Sequence, residues 1–175
     1  MLEHYYNLNA DPFRLTPDSR FVYPHPSYIE IRESMHHALQ SGDGLLALTG
    51  RPGTGKSTMI EWFLGEFKKG EVQWATLSST NVEGEDLLRM VAYAFGLEAK
   101  GLDKSTLVLK LRQQLQEHRR SLLVIDEAQN LSASALEEVQ MLTDLQADSR
   151  PLLQIFLVGQ DRLHERLHDP EMEPL

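Results

Sequence analysis

Two rhythms of apolar residues alternate along this chain. Short, mainly apolar runs of strand length fall at residues 45–49, 72–78, 121–125 and 152–158. Between them, apolar residues recur three and four apart, as on one face of a helix. Tyr28, Ile31, Met35 and Leu39 do so within residues 27–40, and Met59, Ile60, Phe63 and Leu64 follow the first run. Leu87, Leu88, Val91 and Phe95 form a third such face, Leu107, Leu111 and Leu115 a fourth within 104–119, and Leu136, Val139, Leu142 and Leu145 a fifth. The punctuation agrees with these boundaries. Gly42 and Gly96 follow helical stretches as C-terminal stops, Asn81 stands where it can cap a helix running to Phe95, and Ser134 with Glu137 has capping-box spacing. The last run leads through Gly159-Gln160 into a short charged helix. Strands alternating with helices, and strands apolar on both faces, predict an α/β fold with a parallel sheet covered on each side.

The first 25 residues break this pattern. Asp11-Pro12, Thr16-Pro17-Asp18 and Tyr23-Pro24-His25-Pro26 are turn or extended signals, interleaved with Tyr5, Tyr6, Phe13, Phe21, Val22 and Tyr23. Such an arm packs on the outside of a core, or part of it lines a flat apolar slot for adenine. The expected division is therefore an arm and helix over residues 1–42 and a core domain over 43–175.

Composition narrows the class. The 175 residues are 41% hydrophobic and 25% charged, as in a globular protein. No run approaches membrane-span length, no secretory leader is recognisable at Met1, and the absence of cysteine excludes disulfides and zinc–thiolate sites. A cytoplasmic location is the expectation. A net charge of −9 argues against non-specific nucleic-acid binding, which depends on Lys and Arg neutralising phosphates.

The chemistry concentrates in residues 50–58. Gly50-Arg51-Pro52-Gly53-Thr54-Gly55-Lys56-Ser57 satisfies the phosphate-binding pattern GxxxxGK[ST], with Thr58 behind it and the order strand, loop, helix around it. Glycines let several backbone N–H groups turn inward toward phosphate oxygens at a helix N-terminus. Lys56 can reach the β- and γ-phosphates, and the Ser57 hydroxyl can hold Mg²⁺. The alternative is a glycine-rich loop capping an ordinary βα unit.

Asp126-Glu127, at the end of the third apolar run, forms the second signature. Paired with the loop upstream, Asp126 would hold the Mg²⁺ shell and Glu127 would orient and polarise the attacking water of an ATP-hydrolysing site; the alternative is the solvated start of a loop. Gln160, after the last run, is either a group touching the γ-phosphate or attacking water, or a plain turn amide. His164 and His168 have helical i, i+4 spacing but lack a third metal ligand in view. Arg162 and Arg166 stand on the same helix, as phosphate-sensing arginines or as surface salt-bridge partners.

These residues together resemble the AAA+ ATPase domain of the ExeA/GspA family, associated with type II secretion and related pilus or exopolysaccharide systems. The resemblance begins at Tyr5-Tyr6-Asn7-Leu8 and at residues 11–18, continues through the loop and Leu123-Val124-Ile125-Asp126-Glu127-Ala128-Gln129-Asn130-Leu131, and closes at residues 157–163. It implies a P-loop NTPase fold of the AAA+ (ASCE) type, ATP and Mg²⁺ as ligands, the usual ATPase roles for Lys56, Ser57, Asp126 and Glu127, and a sensor-1 role for Gln160. Arg51-Pro52 departs from the acidic and small residues expected after Gly50. The family continues past the counterpart of Leu175 with an arginine-bearing segment, a fifth strand and a helical lid. The resemblance thus implies that these lie beyond this chain and that the edge beside the first strand is left unpaired.

The expected function is that of an ATPase motor or switch, working as a homo-oligomer with an envelope or inner-membrane assembly partner, cytoplasmic or peripheral at that membrane. Two alternatives stand beside it: a DNA-acting regulator resembling the TniB-type transposition ATPases, and a slow nucleotide-dependent scaffold.

Overall fold

The computed structural model describes residues 5–6, 22–78 and 82–168. Its elements follow the predicted alternation: α1 (Pro26–Ser41), β1 (Leu45–Thr49), α2 (Lys56–Leu64), β2 (Gln73–Ser78), α3 (Gly84–Ala94), α4 (Lys104–Gln116), β3 (Ser121–Asp126), a 3₁₀ turn (Ala128–Asn130), α5 (Ala133–Thr143), β4 (Gln146–Ala147), β5 (Arg150–Pro151), β6 (Gln154–Gly159) and α6 (Asp161–Leu167). The large sheet has four strands in the order β1-β6-β3-β2, and every pairing in it is parallel. Among the described residues β1 pairs only with β6.

Alternation along the central strands builds two cores. Leu123 and Ile125 of β3, with Ile155 and Leu157 of β6, face α3, α4 and α5, where Leu87, Val91, Leu107, Leu111, Leu136 and Val139 are buried. Leu122, Val124, Phe156 and Val158 point the other way, onto Met35 and Leu39 of α1 and Met59, Ile60 and Phe63 of α2. A fully buried aliphatic or aromatic side chain contributes about 1.5–3 kcal/mol. That is why residues 122–125 of β3 and 155–158 of β6 are all apolar, while the edge strands expose Ala47, Trp74 and Thr76. Among the described residues no helix is long and apolar enough to cross a membrane.

Several boundaries differ from the sequence expectation for local reasons. Ser134 and Glu137 do not form a capping box. Ser132 is the N-cap of α5, its Oγ accepting from Ala135 N at 3.1 Å. Ser134 Oγ instead accepts from Gly84 N at 3.2 Å, tying α5 to the start of α3. Glu83 is the N-cap of α3 and makes no side-chain cap bond; Asn81 lies outside the described residues. Helix α4 stops at Gln116 because Glu117 N and His118 N bond to the carbonyls of Gln114 and Leu115, which tightens the final turn. The hairpin β4–β5, unanticipated from sequence, turns through Asp148 and Ser149, both at positive φ, and Leu152 N bonds back to Leu145 O. This delays the start of β6 to Gln154. Tyr5, Tyr6 and Tyr23 of the arm are exposed, and Asp11, Phe13, Thr16 and Phe21 lie outside the described residues.

Two consequences can be measured. A Cβ at Gly84 would sit 2.8 Å from Ser134 O and 3.2 Å from Glu138 Cγ. Gly84→Ala is therefore expected to destabilise the fold by about 1–3 kcal/mol, read as a lower urea midpoint at unchanged m-value. At the start of α4, Asp103 accepts from Thr106 N at 2.8 Å, and this bond holds its carboxyl below the usual carboxylate range. The depressed folded-state pKa makes its contribution fully present above the ordinary Asp value and lost as pH falls through the folded value. Asp103→Ala should lower Tm at neutral pH, and the difference from wild type should shrink on acidification through that window.

Candidate functional site

The site lies at the carboxyl ends of the parallel strands, where α/β sheets bind ligands. Strand β1 ends at Thr49 and α2 begins at Lys56, with the loop of residues 50–55 between them. Gly53 and Gly55 both have left-handed backbone, at φ 80° and 86°. Gly55 is constrained a second time, because a Cβ there would fall 2.2 Å from the Tyr28 hydroxyl. That hydroxyl donates to Thr54 O at 2.7 Å, so α1 braces the loop from outside. From within, Thr54 Oγ1 donates to Arg51 O at 2.9 Å, and Gly50 N donates to Gly159 O at 3.2 Å. Arg51, Pro52, Gly53 and Thr54 are exposed along the rim, and Thr58 is half-buried in the first turn of α2. The Lys56 ammonium donates to Gly50 O at 2.7 Å and Arg51 O at 3.0 Å, which holds its charge inside the loop at the positive end of α2.

Strand β6 separates β1 from β3, so the tip of β6 stands between the loop and Asp126-Glu127. Across this gap Ser57 Oγ donates to Asp126 Oδ2 at 3.0 Å. A hydroxyl and a carboxylate in direct contact form a hard-oxygen donor pair, the kind that Mg²⁺ accepts along with phosphate oxygens and water. The second oxygen of Asp126 accepts from Glu127 N at 2.8 Å, which fixes the carboxylate plane. Glu127 itself is exposed and has φ 53°. A left-handed non-glycine backbone is uncommon, and such conformations cluster at functional sites.

The sequence reading missed the partners of Glu127. Gln129 Nε2 donates to Glu127 Oε2, and Gln129 Oε1 accepts from Gln160 N at 3.0 Å. Gly159 must be small for this, since a Cβ there would lie 2.6 Å from Gln129 Oε1. Arg166 reaches back to the turn after β3. Its Nη1 donates to the carbonyls of Gln129 at 2.7 Å and Leu131 at 2.6 Å, so its charge is used to hold the turn after β3. Arg162 is exposed. The rings of His164 and His168 lie 4.2 Å apart between centroids and are tilted by 45°, and no group of three metal-ligating side chains occurs among the described residues. A cavity of about 480 Å³ opens beside Ser57 and Asp126, walled by Ile60, Leu64, Trp74 and Val124, but none of residues 50–55 lines it.

Comparison with known proteins agrees with this fold. The sequence profile of a family described as AAA domain matches residues 37–167. General secretion pathway protein A of Aeromonas hydrophila is 30% identical over 183 residues; the match covers 100% of this chain and 33% of that protein. The chain thus spans about one third of the length of this curated relative. Among solved structures, Cdc6p from Pyrobaculum aerophilum superposes with a TM-score of 0.68 at 19% identity, covering 93% of this chain and 45% of that one. The Walker-type ATPase PABY2304 of Pyrococcus abyssi gives 0.63 at 18% identity, over 91% and 53% respectively. Those two likenesses concern the fold. With the profile matching most of the sequence, the chain belongs to the AAA domain family of P-loop NTPases.

Proposed function

We propose that the chain binds ATP with Mg²⁺ in the loop of residues 50–58 and hydrolyses it to ADP and phosphate. The observation that carries this is the hydrogen bond from Ser57 to Asp126, which joins the two nucleotide signatures into one donor set. Loop N–H groups and the α2 N-terminus hold the phosphates, and Lys56 exchanges its bonds to Gly50 and Arg51 for phosphate oxygens. When bound, Mg²⁺ would be held by Ser57 and Asp126 and would neutralise charge developing on the β- and γ-phosphates. Glu127 orients the attacking water and takes its proton as attack on the γ-phosphorus proceeds. Gln160, at the tip of β6, faces the same water or the γ-phosphate.

The likeness to General secretion pathway protein A supports a role in an envelope secretion, pilus or exopolysaccharide machinery. In that role the chain acts as a homo-oligomer on the cytoplasmic side of the inner membrane, with an assembly protein as its partner. The net charge of −9 gives no support to a DNA-acting alternative.

Two substitutions separate binding from chemistry. Lys56→Ala should weaken Mg·ATP binding by about 2–5 kcal/mol, as when one partner of a buried charge pair is removed; titration calorimetry giving equal affinities would refute the assignment. Glu127→Gln should bind ATP as wild type does yet lose about 10²- to 10⁴-fold in single-turnover hydrolysis. An unchanged rate would move the water-positioning role to another group, with Gln160 the next to test.

A further inference from the structure

Gln129 sits between the two strand ends of the site and contacts both. Its amide can serve only one way round. Gln160 N offers a proton and needs an acceptor, whereas the Glu127 carboxylate needs a donor, so Oε1 must face Gln160 and Nε2 must face Glu127. Three further features keep it there. Arg166 clamps the Gln129 carbonyl, and Ala128, the preceding residue of the 3₁₀ turn, is fully buried. Gly159 leaves the space that the amide oxygen occupies. An exposed carboxylate on a left-handed residue would otherwise sample several rotamers, and no other side-chain donor to Glu127 occurs among the described residues. Binding one carboxylate oxygen to a fixed amide leaves the other in a defined direction.

We infer that Gln129 is a positioning residue for ATP hydrolysis: through Nε2 it aims Glu127 at the attacking water, and through Oε1 it ties that aim to the position of the β6 tip at Gln160. The two strand ends thereby move as one unit, and a shift of Gln160 on nucleotide binding or release is passed to Glu127 by a single side chain. This role rests on the ATPase function proposed above.

The test uses two variants that divide the amide's two contacts. Gln129→Ala removes both. Gln129→Glu keeps an oxygen to accept from Gln160 N but sets a second carboxylate against Glu127, which repels it. Both are expected to lower single-turnover ATP hydrolysis by about 10- to 100-fold, the scale of a small misplacement of a reacting group, while Mg·ATP affinity stays within about threefold of wild type. In a Glu127→Gln background, Gln129→Ala should cost nothing further, since the group it aims is already disabled.

A Gln129→Glu protein hydrolysing ATP at the wild-type rate, with Gln129→Ala altered only in Tm, would overturn the inference and reduce Gln129 to a brace for Gln160. If Gln129→Ala fails to fold, Gln129→Glu alone decides between these outcomes. A wild-type chain that does not turn over ATP, or a fully active Glu127→Gln, would instead overturn the ATPase assignment and this role with it.

Discussion

The pairing of β6 between β1 and β3 is the constraint on which the site depends. Residues 45–49 register against 155–159, and 122–125 against 154–157, so the loop after β1 and the carboxylates after β3 reach the same level of the sheet. Only then can Ser57 meet Asp126, although 69 residues separate them in sequence. Both faces of β3 and β6 are buried, which ties the register to the two cores. A one-residue slip would exchange the inward sets of a strand between cores of different shape. The packing that stabilises the fold and the alignment that assembles the site are therefore one and the same.

The edge built this way has a graded character. The loop is supported by bonds on three sides, from Tyr28, from Gly159 and from its own Thr54, which would pre-shape its backbone for the phosphate binding proposed above. Asp126 is held by two bonds, from Ser57 and from Glu127 N. Glu127 projects to solvent and is restrained through Gln129 alone among the described residues. The loop proposed to bind phosphate is thus braced at several points, while the group proposed for chemistry depends on one contact.

Much of this was legible in the sequence because it is written locally. Residues 50–58 carry their own chemistry and conformation in consecutive positions, and an apolar run ending in Asp126-Glu127 states both a buried strand and where its charges emerge. The alternation of strand and helix was equally plain, and element boundaries fell within a few residues. What escaped depends on partners distant in sequence. Tyr28 looks like an ordinary apolar position of α1 until its hydroxyl meets Thr54, 26 residues away. Arg166 looks like a surface charge until the 3₁₀ turn offers it two carbonyls. Ser132 and Ser134 compete for one helix start, and the choice is made by Gly84, which engages Ser134 from a different helix. Neither the left-handed Glu127 nor the Asp148-Ser149 turn has a glycine to announce it.

The central claim is that Ser57 and Asp126 form the metal end of a single nucleotide site. Its most direct test is the Mg²⁺ dependence of ATP affinity, measured by titration calorimetry with and without a chelator. Wild type should bind ATP more tightly in Mg²⁺ than in its absence. Ser57→Ala and Asp126→Asn should lose most of that gain while keeping the metal-free affinity set by the loop and Lys56. An undiminished Mg²⁺ gain in Asp126→Asn would contradict the account, because the metal would then be held without the residue that the register of β3 brings to it.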